Sequence, residues 1–284
     1  MAETGLPGIF VSPKTKRPLS MDTTGARLVA IGDSESWPVI NGIPDFTRRR
    51  RPDRFGEQIR AGKWVEANWR KERKRHQADT EPQWPGPQLA ATDGLVLEVA
   101  AGPGGGNLPK ILLAGPRGTV LVNDISRMIL EDWAGVLNQD GLRQRVSFAA
   151  FNARRMPLPA ESVDAVSTCG GISNVLFHHR LVNEIVRVLK PGGQVYSVDL
   201  EFDAAEWARI PRPKRLLLEA VYPVIPLGFR RLFERHGLTV QHYAVRSTRE
   251  LEPKEGFIPA MAHRSGVTLH VNIVEVLATK PGRP

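Results

Sequence analysis

A buried-type strand that runs directly into a glycine-rich turn constrains the fold of this chain more than any other feature. Residues 96–106 read VLEVAAGPGGG, and helix-forming residues follow them. Gly102 and Gly104 lack a Cβ, so the backbone there can adopt unusual dihedral angles and let a ligand approach the main chain. In open parallel sheets ligands bind beyond the carboxyl ends of the strands, and this turn lies at such an end.

Strand-like and helical stretches alternate from Gly94 onward. The stretches read LVLEVA, PKILLAG, TVLVND, SRMILEDWAGVLNQ, VSFAAF, SVDAVST, LVNEIVRVLK and QVYSVDL. This alternation predicts an α/β domain with a parallel sheet covered by helices on both faces. Two late strands are expected at 239–245 and 267–279.

A glycine-rich turn alone is weak evidence, because nucleotide-binding and purely structural turns look alike. Two acidic residues favour a nucleotide-binding turn. Glu98 lies four residues before Gly102, and a second strand ends at Asp124, about twenty residues beyond the turn, where a ribose-binding acid is expected.

Four segments in this order, LEVAAGPGGG, LVNDIS, FNARRMPLPAESVDAV and RVLKPGG, resemble the successive motifs of class I S-adenosylmethionine-dependent methyltransferases, over roughly residues 94–200. The ubiquinone/menaquinone C-methyltransferase-like group is the most similar. The resemblance implies a Rossmann-like, mostly parallel seven-stranded sheet, with S-adenosylmethionine as cofactor and S-adenosylhomocysteine as product.

The resemblance also implies roles for individual residues. Glu98 would position the amino-acid end of the cofactor, and Gly102 and Gly104 would line the same end. In this turn Ala100 replaces the usual first glycine. The residues implied at the nucleoside end are Asp124 for the ribose, Ile125 for one adenine face, and Asn152 and Ala153 for the adenine edge. Asn152 stands where the family usually has an aspartate. Its carboxamide oxygen can still accept a hydrogen bond, in a weaker pairing.

The loop after the fourth strand, residues 167–174, is expected beside the sulfonium. Cys169 is interpreted as small pocket lining rather than as a nucleophile, since no Pro-Cys motif accompanies it. Asn174, His178 and Tyr222 are candidates for the acceptor pocket, each with an ordinary structural role as the alternative: a loop hydrogen bond, a capping or solvent-facing imidazole, and a wall residue. No catalytic base is assigned.

Cysteine content and hydropathy exclude several classes. The single cysteine excludes an intrachain disulfide framework and a zinc site built on paired cysteines, so no metal is expected. No run approaches the roughly 18 apolar residues that span a bilayer, and the N-terminus lacks the pattern of a secretory signal. A cytoplasmic protein with no membrane partner is therefore expected.

Three regions are expected along the chain. Residues 1–47 read as a small β-rich module whose end, WPVINGIPDF, resembles a zinc-ribbon-like domain without its cysteines: Ser12, Thr15 and residues 33–36 occupy the turns. Residues 48–93 form a basic linker, with an amphipathic helix over 55–75 and a loop over 79–93. Residues 94–284 form the methyltransferase domain, with a helical substrate cover around 203–235.

Charge separates two functional hypotheses. The net charge is +9, and residues 48–75 hold twelve Lys or Arg against four Asp or Glu, so the excess belongs to one segment. A small-molecule methyltransferase is the preferred interpretation. An RNA methyltransferase that uses the basic segment 48–75 is the first alternative, and a cofactor-binding protein with a different reaction in the same pocket is the second.

Overall fold

A small antiparallel sheet precedes the main domain, as expected for a β-rich N-terminus. The computed structural model describes residues 7–32, 34–47, 53–78, 83–221 and 224–282. The strands of the small sheet are β1 Leu19–Met21, β2 Arg27–Ala30, β3 Ser36–Ile40 and β4 Ile43–Pro44, in the order β1-β2-β3-β4.

The small sheet packs on the main domain through aromatic residues. Trp37 is fully buried, and its ring centroid lies 5.7 Å from that of Phe46. The backbone N–H of Phe46 donates to the carbonyl of Ala150 at 2.8 Å, and that of Val11 donates to Pro157 at 3.0 Å. The two sheets thus share one hydrophobic core, and a domain boundary at residue 47 remains our proposal.

Polar side chains organise the two turns in which a zinc ribbon would carry its cysteines. Ser12 is buried, and its hydroxyl donates to a Glu35 carboxylate oxygen at 2.8 Å while accepting from the N–H groups of Lys14 and Thr15 at 3.1 Å. Asp33, in the second of these turns, lies outside the described residues. The hydrogen bond from Ser12 to Glu35 thus links these two turns.

The basic linker holds two helices where one was predicted. They are α1 Arg54–Ala61 and α2 Trp64–Ala78, and the break falls at Lys63, whose φ is 51°. The predicted apolar-face residues Ile59, Val65 and Trp69 are buried, but Phe55 is 56% exposed. The expected loop over 79–93 also contains a short helix, α3 Gly86–Ala90.

The large sheet has seven strands, which confirms the predicted Rossmann-like fold. They are β5 Leu95–Glu98, β6 Thr119–Asp124, β7 Val146–Ala150, β8 Val163–Cys169, β9 Leu189–Phe202, β10 Thr239–Glu250 and β11 His270–Thr279. Their order is β10-β11-β9-β8-β5-β6-β7. The five strands from β9 to β7 run parallel, while β11 is antiparallel to both β9 and β10.

Eight further helices complete the described fold. They are α4 Leu108–Leu113, α5 Arg127–Gln139, α6 Gly171–Asn174, α7 His178–Val188, α8 Ala204–Arg209, α9 Arg212–Val221, α10 Val224–Arg235 and α11 Phe257–His263. Alternate residues of β5 belong to different hydrophobic clusters: Leu95 and Leu97 to one, Val96 to the other. Since alternate side chains of a strand point to opposite faces, helices cover both faces of the sheet.

Helices α8 to α10 fall in the region expected to cover the substrate, and a kink at Gly228 (φ 69°, ψ 158°) divides α10. The Leu-Lys-Pro-Gly-Gly segment forms the first residues of β9, and the N–H of Gly192 donates to the Lys280 carbonyl at 2.9 Å. Within the described part of the chain, no helix combines the length and apolar character needed to cross a membrane.

Candidate functional site

The glycine-rich turn after β5 has an unusual backbone at four of its seven residues. Gly102, Gly105 and Gly106 have φ values of 58°, 74° and 60°, in the left-handed region that suits glycine. Ala100 also lies there, with φ 54°, although a Cβ in this region costs roughly 1–2 kcal/mol. Gly104 does not, and an added Cβ there would meet nothing within 4 Å. Space therefore remains open above Gly104 for a ligand.

A tryptophan from α5 supports the turn from one side. The Trp133 indole N–H donates to the Gly102 carbonyl at 3.0 Å, and a Cβ on Gly105 would lie 2.5 Å from the same ring. Trp69 of α2 meets the Trp133 ring edge-on, with 6.3 Å between centroids. No sequence pattern predicts this role, because Trp133 is one apolar residue among several in its helix.

Glu98 lies beneath the turn. Its carboxylate is fully buried, and Oε1 accepts from the backbone N–H of Asn107 at 3.1 Å. Burial raises the pKa of Glu98 to about 7, although the Asn107 N–H and the Lys110 ammonium favour the ionised form. A Cβ on Gly106 would lie only 1.9 Å from Oε1. Glu98 therefore fixes the junction between turn and helix.

Asp124 connects the turn to the end of the neighbouring strand. Its carboxylate accepts from the N–H of Gly102 at 2.9 Å and from the N–H of Ser126 at 2.7 Å. The side chain lines a cavity, with 7% of the residue exposed. The Asp124 carboxylate therefore joins the glycine-rich turn to the end of β6 at the cavity wall.

The cavity measures about 1060 Å³ and lies at the carboxyl ends of the parallel strands. It brings together seven of the residues predicted from the sequence: Ala100, Gly102, Gly104, Asp124, Ile125, Cys169 and Asn174. Other residues that line the cavity were not predicted from the sequence. They are Phe55, Asn68, Glu72 and Arg75 from the N-terminal helices, Asp199 from β9, and Arg246 and Ser247 from β10.

Helix α2 roofs the cavity. The Asn68 carboxamide donates to the Pro103 carbonyl at 3.1 Å, which links the helix to the glycine-rich turn. The Trp69 indole N–H donates to the Asp140 carboxylate at 2.5 Å, and Arg73 pairs with the same carboxylate at 2.9 Å. The basic linker is therefore part of the site, since α2 forms one of the cavity walls.

A buried aspartate shapes the loop after β8. The Asp199 carboxylate accepts from the N–H groups of Ile172 and Ser173, both at 3.1 Å. Burial raises the pKa of Asp199 to about 6, against these hydrogen bonds. Burial likewise raises the pKa of the Cys169 thiol to about 11, so the thiol is neutral at pH 7.

Other predicted residues lie elsewhere. Asn152 and Ala153 follow β7 and do not line the cavity, and the Asn152 side-chain oxygen accepts from the Arg154 N–H at 3.0 Å. His178 is fully buried, away from the cavity, and burial lowers its pKa to about 4, so it is neither solvent-facing nor at the pocket. Tyr222 lies outside the described residues.

A second cavity of about 570 Å³ adjoins the first, and both are lined by Asn174 and Leu200. Its other walls are mainly apolar and include Phe202, Leu251 and Phe257. The two cavities together are larger than a nucleoside cofactor alone requires, since drug-sized ligands fill about 300–1,000 Å³.

Residues 65–249 match the ubiE/COQ5 methyltransferase family. The chain belongs to this family. The family confirms the predicted identification of a class I methyltransferase and S-adenosylmethionine as the cofactor.

Two curated relatives are ubiquinone/menaquinone biosynthesis C-methyltransferases. The one from Methylococcus capsulatus is 34% identical over 107 residues, which make up 38% of this chain and 42% of the relative. The one from Pseudomonas fluorescens is 29% identical over 141 residues, 50% of this chain and 51% of the relative. The matches thus span about two fifths to half of the relatives' length.

A solved structure shows the same fold. It is the arsenic(III) S-adenosylmethionine methyltransferase of Chlamydomonas reinhardtii, with a TM-score of 0.51 and 19% identity over 78% of this chain and 74% of that one.

Substitution of two glycines of the turn should change the free energy of unfolding by different amounts. Gly106→Ala should lower the free energy of unfolding by about 2–5 kcal/mol, because the new Cβ meets the Glu98 carboxylate and its φ is left-handed. Gly104→Ala is the matched control and should change it by less than about 1 kcal/mol. Urea denaturation measures both, and equal losses would contradict the structure.

Glu98 should make stability fall as pH rises. Between its ordinary pKa of 4.5 and the folded value of about 7, the unfolded chain loses the Glu98 proton while the folded chain retains it. Relative to Glu98→Gln, the wild type should therefore lose about 2–3 kcal/mol between pH 5 and pH 8. Glu57→Gln, on the surface of α1, controls for the loss of an acid. Parallel curves for wild type and Glu98→Gln would contradict this prediction.

Proposed function

We propose that this protein transfers a methyl group from S-adenosylmethionine to a small-molecule acceptor by in-line displacement. One observation carries the proposal: a single roofed cavity connects the glycine-rich turn and Asp124 with the loop after β8. The cavity has room for a cofactor and, with its neighbour, for a compact second molecule.

The chain's own residues fit the cofactor. Asp124 lines the cavity at the end of β6, where a carboxylate suits the ribose hydroxyls, and Ile125, 47% exposed, would cover one adenine face. The open space over Gly104 suits the close approach of an amino-acid tail to the main chain, beside Gly102 and Ala100. Cys169 would line the floor below the sulfur.

Two further assignments rest on the resemblance. We propose that Asn152 and Ala153 reach the adenine edge after a local rearrangement, since neither lines the cavity in this structure. Glu98 would act on the amino-acid tail indirectly, by holding the N–H of Asn107 and so the shape of the turn.

The bound cofactor supplies an electrophilic methyl group, so the protein mainly has to align the acceptor. Holding two reactants in near-attack geometry can contribute roughly 7–11 kcal/mol in favourable intramolecular cases. Here helix α2 and the walls from β9 and β11 would position the acceptor. No side chain is assigned as a base: the Cys169 thiol is neutral, and His178 is buried elsewhere.

The small-molecule hypothesis is preferred over RNA, and acids within the structure neutralise two arginines of the basic segment. Arg60 bonds to Asp132 at 2.7 Å and to Glu131 at 3.1 Å, and Arg73 pairs with Asp140 at 2.9 Å. The cytoplasm remains the compartment that we propose, and a different reaction in the same pocket remains the alternative.

Methyl-labelled S-adenosylmethionine tests the proposal. Incubated with the protein and a cell extract, label should enter the low-molecular-weight fraction, with an equal amount of S-adenosylhomocysteine formed. Asp124→Ala should weaken S-adenosylhomocysteine binding at least about tenfold in calorimetry. Asp93→Ala, at the opposite end of β5, should leave it unchanged. Label in RNA would favour an RNA methyltransferase. Tight binding of S-adenosylhomocysteine without product would favour a different reaction in the same pocket, and no binding of this ligand would contradict methyl transfer itself.

A further inference from the structure

Phe55 is the exception among the apolar residues that were predicted to form one face of the linker helix. Ile59, Val65 and Trp69 are buried, whereas the Phe55 side chain at the start of α1 is 56% exposed. Neither hydrophobic cluster of the described core includes Phe55, and it lines the large cavity instead. An aromatic ring in this position offers apolar surface that a ligand in the cavity can remove from water.

A chain of hydrogen bonds places Phe55 at the Asp124 end of the cavity. The Asp124 carboxylate accepts from the N–H of Ser126 at 2.7 Å, and the Ser126 hydroxyl donates in turn to the Asp53 carboxylate. Asp53 is the N-cap of α1 and accepts from the N–H of Gly56 at 3.1 Å. Ser126 is the N-cap of α5. The two helices therefore begin at one shared hydrogen bond, which brings Phe55 close to the residues that follow β6.

Close packing holds α1 against α5 at both of its ends. A Cβ on Gly56 would lie 2.6 Å from the Ser126 hydroxyl oxygen, so the start of α1 lies closer to α5 than a larger residue would allow. Near the end of α1, Arg60 donates to the Asp132 carboxylate at 2.7 Å and to the Met128 carbonyl at 2.9 Å. The backbone that carries Phe55 is thus in place before a ligand arrives.

Ile125 lines the same end of the cavity. It lies between Asp124 and Ser126 in the chain, and its side chain is 47% exposed. In the proposed function the ribose contacts Asp124 and the adenine lies against Ile125, so the adenine is the part of the cofactor nearest to Phe55. Two half-exposed apolar side chains, one from α1 and one after β6, thus lie where a flat base is expected.

We propose that Phe55 is a cofactor-binding residue whose ring packs on the adenine of S-adenosylmethionine, near Ile125. Aromatic side chains stack on nucleobases because both present flat π-faces with little affinity for water. Phe55 precedes the segment 65–249 that matches the family, so this contact comes from the N-terminal linker of the chain. The inference rests on the proposed function, because the position of the ribose at Asp124 defines where the adenine lies.

Calorimetric titration of the full-length protein with S-adenosylhomocysteine tests the inference. Phe55→Ala should weaken binding about five- to thirtyfold, because base–aromatic stacking of ordinary strength is lost. Phe55→Trp keeps a flat ring and should bind within about threefold of the wild type. The midpoint of urea denaturation should not change in Phe55→Ala, since its ring is exposed in the absence of a ligand.

Trp64→Ala is the matched control for the loss of an exposed aromatic ring. Trp64 is 49% exposed on the neighbouring helix α2, and it lines neither of the two cavities. Its removal should therefore leave the affinity for S-adenosylhomocysteine unchanged.

An NMR measurement locates the contact on the base. In the complex with S-adenosylhomocysteine, the adenine H2 or H8 proton should show a nuclear Overhauser effect to the ring protons of a phenylalanine. This effect should be missing in Phe55→Ala, because no other phenylalanine lines the large cavity among the described residues.

Three results would overturn the inference: equal affinities of the wild type and Phe55→Ala, an equal loss of affinity in Trp64→Ala, or no Overhauser effect between the adenine and Phe55. In each case binding of S-adenosylhomocysteine by the wild type would leave the proposed function standing. If the wild type did not bind S-adenosylhomocysteine at all, the proposed function and this inference would fall together.

Discussion

The hydrogen bond from the Gly102 N–H to the Asp124 carboxylate is the contact on which the site depends. It joins the ends of two neighbouring strands and holds the turn open toward the cavity. Glu98 from below and Trp133 from the side fix the same turn, and each fills space that any side chain on Gly106 or Gly105 would need. The cofactor site is thus built largely before a ligand arrives, which lowers the cost of binding.

The N-terminal region forms part of this site. The small sheet shares its core with the large one through Trp37 and Phe46, and helix α2 lies over the turn through the Asn68 contact with Pro103. Two basic residues of these helices, Arg60 and Arg73, pair with acids of α5 and its C-terminal end, Asp132 and Asp140. Part of the positive charge of this segment is therefore neutralised within the protein.

Local patterns predicted the sheet, the glycine-rich turn and the position of Asp124, because each follows from a few consecutive residues. Such patterns cannot predict contacts between distant segments. Neither Arg246 nor Phe55 belongs to a motif, and only the packing of β10 and α1 around the turn brings them to the cavity. The burial of His178 was missed for the same reason, since it depends on neighbours that are remote in sequence.

A crystal structure with S-adenosylhomocysteine is the most direct test of the central claim that the carboxyl edge of the sheet holds this nucleoside. The account predicts both ribose hydroxyls within about 3 Å of the Asp124 carboxylate. It also predicts the sulfur beside Cys169 and an unfilled space that leads toward Arg246. A ligand bound elsewhere, or a ribose that makes no contact with Asp124, would contradict it.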